Sequence, residues 1–223
     1  MSDRKHADLP APDETAQTAP ELPSELPVLP LRHSVVFPMT LAPLAVTRPV
    51  SIEAVNRALA GDRMVLLLMQ EGESDDPAPA DLRRIGTVGI IRQMAKAPSG
   101  GGLHVLVEGV ARARGEISRQ EMSLTARLTP MPEEQEQSIE VDAYVRALRE
   151  QIDRALNLSS GLSQELRPIV MSIDEPMRLA YLVGSLIDMK VEDKQKLLEE
   201  NRLLVKLQAV SGALAREISL LEL

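Results

Sequence analysis

The apolar residues follow two different rhythms along the chain. Through residues 26–132 they come in short runs, and after Pro132 they recur at every third or fourth position. Leu26–Leu31 is a short apolar run broken by Pro27 and Pro30. It predicts an edge or bulged strand, because proline cannot donate to a ladder. Thr40–Thr47 is a second strand candidate. Pro49 then opens a helix where a missing N–H costs nothing; Ile52, Val55, Asn56 and Leu59 keep helical spacing, and Gly61 stands where a C-terminal cap belongs. Arg63–Met69 reads as a buried strand, and Glu71–Asp81, acidic and proline-bearing, as a loop. Ile85–Met94 and Leu103–Val110 flank Ala97–Gly102, the pattern of a hairpin with a glycine-rich tip. Ala111–Ile117 and Met122–Leu128 add one or two further strands. Short strands at close spacing around one inserted helix predict a small barrel or rolled sheet.

After Pro132 the spacing becomes helical. Ile139, Ala143, Ala147, Ile152 and Leu156 follow an acidic start, Glu133, Glu134 and Glu136, which suits a helix dipole. Asp174–Pro176 opens another helix with Leu179, Leu182, Val183, Leu186 and Ile187 on one face. Glu192–Glu200 predicts a short helix. Leu203, Leu207, Val210, Leu214, Ile218 and Leu221 stripe a last helix that runs to the final residue. The stripe stops without a cap, so the natural polypeptide is expected to continue beyond it. The fold class is α+β: a β-rich barrel or rolled sheet over 26–132, then a helical bundle over 133–223 in which 201–223 is a long terminal helix.

Charge sharpens these boundaries. Residues 1–25 carry two bases and six acids with four prolines, too little apolar matter to offset chain ordering, and are expected to be a disordered tail. Residues 26–132 carry 12 bases and 10 acids, and 133–223 carry 11 and 17, so the acidity of the −8 chain sits in the tail and the helical part. A nucleic-acid binder shows a basic surplus and stacking aromatics. This chain is acidic and has three aromatics, Phe37, Tyr144 and Tyr181, so no nucleic acid is expected. The apolar run Met64–Met69 is far short of a membrane span and no secretory signal core is visible, so no membrane is expected and the cytoplasm is the expected location. The chain has no Cys, which excludes thiolate metal sites and a Cys nucleophile.

Catalytic apparatus is not apparent. No Gly is followed by Lys, so there is no P-loop, and His6, His33 and His104 lack zinc-ligand spacing. Ala97-Pro98-Ser99-Gly100-Gly101 misses the first glycine of a nucleophile elbow and sits between strands, so Ser99 reads as a hairpin residue. The acid pairs Asp75-Asp76 and Glu133-Glu134 read as solvated faces. Met64 and Met69 read as core filling, whereas Met94, at a strand end, could equally serve an adaptable surface. No enzyme activity, cofactor or metal is expected of this chain.

Five ordered blocks carry a resemblance. Leu26–Pro38, ending Val35-Val36-Phe37-Pro38, with Pro43-Leu44 beyond it, resembles the opening of the N-terminal domain of the Lon ATP-dependent protease family. Arg84–Met94 and Val105–Ala113 resemble that family's Gly-Thr-Val and Val-Leu-Val-Glu-Gly-x-x-Arg-Ala strands; Asp174–Ala180 and Lys190–Glu199 match two later blocks. Two departures stand out. Phe37-Pro38-Met39 lacks the Gly or His that the family often places before Met, and Thr47-Arg48-Pro49-Val50 replaces its usual Gly-Arg-Glu-Lys turn, so charged contacts at that turn are not carried over. The resemblance implies a PUA-like β-rich subdomain, a helical bundle and a helix leading toward an ATPase ring that this sequence does not contain. It further implies capture of unfolded or misfolded proteins, self-association as a hexamer, and an ATPase and a Ser–Lys protease farther along a parent chain. A stand-alone interaction module with no protease in the same chain is the alternative.

Such a capture surface needs an apolar patch rather than a deep pocket, because exposed apolar area is what marks a misfolded chain. Met39, Met94 and Leu103, near predicted strand ends, are the expected substrate contacts, and Leu207, Leu214 and Ile218 the expected assembly seam.

Overall fold

The structure is a computed structural model that describes residues 21–159 and 163–223. The expected disordered tail lies outside the described residues up to position 20; from Leu22 the chain already packs against the barrel core, and the Ser24 carbonyl accepts the Leu128 N–H at 2.8 Å.

Six strands come first: β1 (Glu25–Leu31), β2 (Leu41–Val46), β3 (Met64–Met69), β4 (Ile85–Lys96), β5 (Leu103–Gln120) and β6 (Ser123–Pro130), with helix α1 (Pro49–Leu59) between β2 and β3. Their order is β2-β5-β4-β3-β1-β6, and β5 also pairs with β6. The ring β1-β3-β4-β5-β6 therefore closes into a five-stranded barrel, with β2 added outside it. Closure depends on the length of β5, read from sequence as two strands. Its first half lies between β2 and β4, and its second half pairs with β6 from Ala113 to Gln120. Register shifts in β4 at Val88/Gly89 and Ile91/Gln93 let the long hairpin bend round.

β1 is an inner strand, not the expected edge. Its prolines are tolerated because its neighbours grip different halves: residues 25–27 pair with β6 and 28–31 with β3. Each half keeps one free side, and there the Pro30 carbonyl accepts from Arg48 Nη2 at 2.8 Å instead of from a strand. β3 runs parallel to β1 and is buried on both faces, which explains its unbroken apolar run. Alternate residues of β1 and β3 feed two clusters, one shared with Ala54 and Val55 of α1 and one with Leu124 and Ala126 of β6. The left-handed residue after α1 is Arg63 (φ 65°), not the expected Gly61. The loop 71–81 is held by ions: Asp75 with Arg32 at 3.0 Å, Asp76 with Arg119 at 2.5 Å and Glu71 with Arg83 at 3.0 Å.

Five helices follow: α2 (Ile139–Leu158), α3 (Ser163–Met171), α4 (Pro176–Leu186), α5 (Val191–Glu199) and α6 (Leu203–Leu221). α3 contains Pro168 and escaped the sequence reading, because proline argues against a helix interior. α2 starts at Ser138, whose hydroxyl accepts the Val141 N–H at 3.1 Å, so the acids at 133–136 lie outside the helix they were expected to begin. α2 and α6 pack side by side and parallel: Gln151 contacts Ser211 at mid-length, and Arg154 contacts Glu222 farther along.

The barrel and the bundle share a core. Phe37, fully buried on the loop between β1 and β2, enters the helical cluster and stacks on Tyr181 of α4, ring centroids 5.3 Å apart. That loop crosses β5 at Gly109, where a Cβ would stand 2.2 Å from the Phe37 carbonyl oxygen, so only glycine fits. Met39 closes the short Phe37-Pro38-Met39 step by taking the left-handed conformation itself (φ 61°), and its N–H donates to the Gly109 carbonyl at 2.9 Å.

Candidate functional site

An apolar groove of about 240 Å³ opens in the helical part. α2 supplies Ile152 and Leu156, α3 supplies Leu166 and Val170, α4 supplies Leu186, and α6 supplies Leu214. These positions recur at helical spacing on each element, so the groove is where four apolar stripes meet without filling the space between them. Leu186 is 51% exposed, and Leu158 and Ile169 on the helices of two walls are also exposed. The α3 wall is tied to α2 through the Arg167–Asp153 ion pair and the bond from Arg167 Nη2 to Asn157 Oδ1 (2.6 Å), while Arg149 donates to the Met171 and Ile173 carbonyls. Exposed ion pairs of this kind contribute about 0–1 kcal/mol each. α3 is thus a lightly held wall. Among the described residues, Glu217 is the one charged residue in the lining.

α4 and α6 also reach a buried ionic junction against the barrel. Arg112 of β5, 1% exposed, donates through Nη1 to the carbonyls of Leu198 (3.0 Å) and Glu200 (3.1 Å). It thereby neutralises the free carbonyls at the C-terminus of α5. Its Nη2 reaches Asn201 Oδ1 at 3.2 Å, and its Nε lies 3.1 Å from Glu133 Oε1. The same carboxylate oxygen accepts the Tyr181 hydroxyl at 2.5 Å, and Glu133 Oε2 lies 3.5 Å from Lys206 Nζ. Lys206, fully buried, donates to the Tyr181 hydroxyl and sits 4.3 Å from the centre of that ring. Two buried cations therefore share one carboxylate. Burial is the larger influence on Lys206 and lowers its pKa to about 8 against the partial opposition of Glu133; burial and Glu133 together push the Tyr181 hydroxyl well above its ordinary value. Turned inward between barrel and bundle, this cluster is a structural joint rather than a reacting centre, and Arg112 Nε and Glu133 Oε2 meet their neighbours there as charges without a hydrogen bond.

The residues expected from sequence fall in several places. Met94 and Leu103 meet at one end of the β4–β5 hairpin: Met94 pairs with Val105 and Leu103 with Lys96, all on one sheet face. Met94 is 41% exposed, whereas Leu103 is half-buried against the barrel core. Met39 is half-buried against the helical core, away from that pair. Leu207, Leu214 and Ile218, expected as a seam toward another subunit, are buried in this chain's own helical core; their stripe is covered by neighbouring helices, and the exposed apolar residues of α6 are Leu220 and Leu221. Glu133, read as solvated, is the centre of the buried junction. Ser99 lies exposed at the hairpin tip, His33 contacts Glu73 at 3.3 Å, and His104 is exposed opposite Ala45 and Ala95; His6 lies outside the described residues. Among the described residues no group of three or more His, Asp or Glu could hold a metal ion, and no helix is long and apolar enough to cross a membrane. The groove itself was missed because its walls come from four helices whose packing no local pattern specifies. Lys206 did leave a signal: it falls three residues after Leu203 and four before Val210, a cation on an apolar stripe.

A six-stranded sheet joined through a shared core to a helical bundle is the architecture of solved Lon N-terminal domains. The N terminal domain of a Mycobacterium avium complex Lon protease superposes with a TM-score of 0.70 at 21% identity, covering 86% of this chain and 98% of that one. A Lon N-terminal domain protein from Xanthomonas campestris gives 0.59 at 15% identity, over 82% and 95% of the two chains. Residues 25–216 match the family of ATP-dependent protease La (LON) substrate-binding domains, and the chain belongs to that family. It is 38% identical over 200 residues to the Lon protease of Desulforamulus reducens and 37% identical over 207 residues to that of Geobacter metallireducens. It covers 89% and 91% of its own length in these matches but only 25% of each relative. The match is to the non-catalytic, substrate-binding part of those proteases.

Proposed function

We propose that this chain captures non-native polypeptides through the groove between α2, α3, α4 and α6, and serves as the recognition arm of ATP-dependent proteolysis. The supporting observation is an apolar groove, with Leu186 half exposed in its lining, on a member of a substrate-binding family. An unfolded chain exposes apolar area that a folded one hides, and covering it yields about 25 cal/mol per Å² without requiring a fixed sequence. Such binding is weak and broad, as a domain that must release its client requires. Several such arms in one assembly would add avidity through raised effective concentration.

The test is a titration of a labelled, permanently unfolded protein and of its folded form into the 223-residue chain. The unfolded form is expected to bind with a Kd on the order of micromolar, and Leu186→Asp to weaken it at least threefold without altering the melting curve. Tighter-than-nanomolar, sequence-specific binding, or equal binding of the folded form, would overturn the reading. Self-association is a second reading, favoured by Leu220, 71% exposed on the last turn of α6, and Leu221 beside it. Sedimentation of the chain and of a Leu220→Glu, Leu221→Glu variant checks it: a smaller species for the variant supports it, and two identical monomers refute it.

A further inference from the structure

We propose that the same groove discriminates among apolar segments by charge, taking those that carry a basic residue beside the apolar stretch and disfavouring those that carry an acidic one. This rests on the capture reading above and adds a chemical preference to it.

Apolar contact is non-directional and cannot by itself distinguish one greasy segment from another. A charge at the edge of an apolar surface can, and it also speeds encounter. Glu217 occupies that position. Among the described residues it is the one charged side chain lining the groove and it makes no ion pair; its carboxylate accepts the Asp188 N–H at 3.3 Å. Three cations on the surrounding helices are already engaged. Arg167 is held by Asp153 and Asn157, Arg149 by two backbone carbonyls and Arg154 by Glu222. Arg216, next in sequence to Glu217, lines a different groove, between α5 and α6. The side chain facing an incoming segment is thus an unneutralised carboxylate, on a helical part that carries 17 acids to 11 bases. An approaching Lys or Arg gains a partner there without breaking an existing pair, and an approaching Asp or Glu meets like charge.

Three labelled peptides of about twelve residues, with one shared apolar centre and Lys, Gln or Glu flanks, are titrated by fluorescence anisotropy into the full chain. At low salt the Lys-flanked peptide is expected to bind about three- to fivefold more tightly than the Glu-flanked one. The gap should close in about 0.5 M salt, where charges at the groove edge are screened. Glu217→Lys should reverse the order of the Lys- and Glu-flanked peptides. Glu217→Gln, which keeps the side-chain size, should abolish the gap and serves if the reversed variant does not fold. Equal binding of the Lys- and Glu-flanked peptides, with the Gln-flanked peptide still bound and still sensitive to Leu186→Asp, overturns the charge preference and leaves capture standing. No binding of any peptide overturns both. A chain that sediments as a dimer, and as a monomer when Leu186→Asp is introduced, assigns the groove to a second copy and overturns both as well.

Discussion

At the residue scale, two buried cations on one carboxylate decide how the molecule responds to substitution and to pH. Glu133→Gln leaves Arg112 and Lys206 buried without a counter-charge, and breaking a buried pair in this way costs about 3–5 kcal/mol. Urea unfolding should show that loss directly. Lys206→Met should do the opposite of what its buried contacts suggest: it removes a charge that is costly to bury and is expected to be neutral or stabilising at pH 7. The pH dependence has a definite sign. The folded pKa of Lys206, about 8, lies below the ordinary 10.5, so between these values the unfolded chain binds the proton more tightly. The penalty is full below about pH 8 and is relieved as pH rises toward 10.5, so this group adds stability across that window. Unfolding free energies at about pH 7.5 and 9.5 should show a rise that Lys206→Met flattens. The Tyr181 hydroxyl, raised from 10.0, works in the other sense at higher pH, since the unfolded chain would ionise it first. None of this was plain from residue 133 itself, because Glu133 and Glu134 look alike in sequence and the barrel selects only one of them. Lys206 was legible in principle, as an interruption of the α6 stripe.

At the element scale, local pattern located most strands and helices and failed where partners lie far apart in sequence. α1, β3, α4, α5 and α6 follow from spacing and punctuation. β5 does not, because what keeps it continuous past Val110 is pairing with β4 as far as Arg114 and with β6 from Ala113, rather than any feature of Ala111–Ala113. β1 was misplaced for the same reason: its prolines imply a free side, and the fold provides one on each half. Gly109 carries the sharpest steric demand. Gly109→Ala pushes a methyl into the Phe37 carbonyl and should cost about 1–3 kcal/mol, the usual range for overpacking, read as a lowered melting temperature. Arg167→Ala releases the α3 wall from α2. Amide exchange is expected to quicken in α3 and remain unchanged in the barrel strands, and uniform quickening would show that α3 is not a separately held element.

At the scale of the whole molecule, the sequence suggested two parts divided near Pro132, and the structure joins them through Phe37 and Met39 packed on the bundle, the Arg112 joint, and the contacts of Gln195 and Glu199 with Ile85 and Arg83. Phe37 belongs to the barrel by sequence and to the bundle by packing. Phe37→Ala should therefore cost about 3–5 kcal/mol and also uncouple the parts. Calorimetry is expected to show one transition for the native chain and two for the variant; a single shifted transition would mean that the remaining contacts suffice to couple the parts. The family was readable from five ordered sequence blocks, because those blocks encode strands and turns. The groove was not, since a space between helices has no letters of its own.

Closure of the ring has a further consequence. Barrel strands spend most of their ladders on one another, whereas β2 is paired along one side only, and Pro43 in its middle has no N–H to offer an incoming strand. Under the capture proposed above, extended chains ready to add themselves to any open ladder would meet this surface often. By sealing five strands and blunting the sixth, this fold withholds a template for amyloid-like growth.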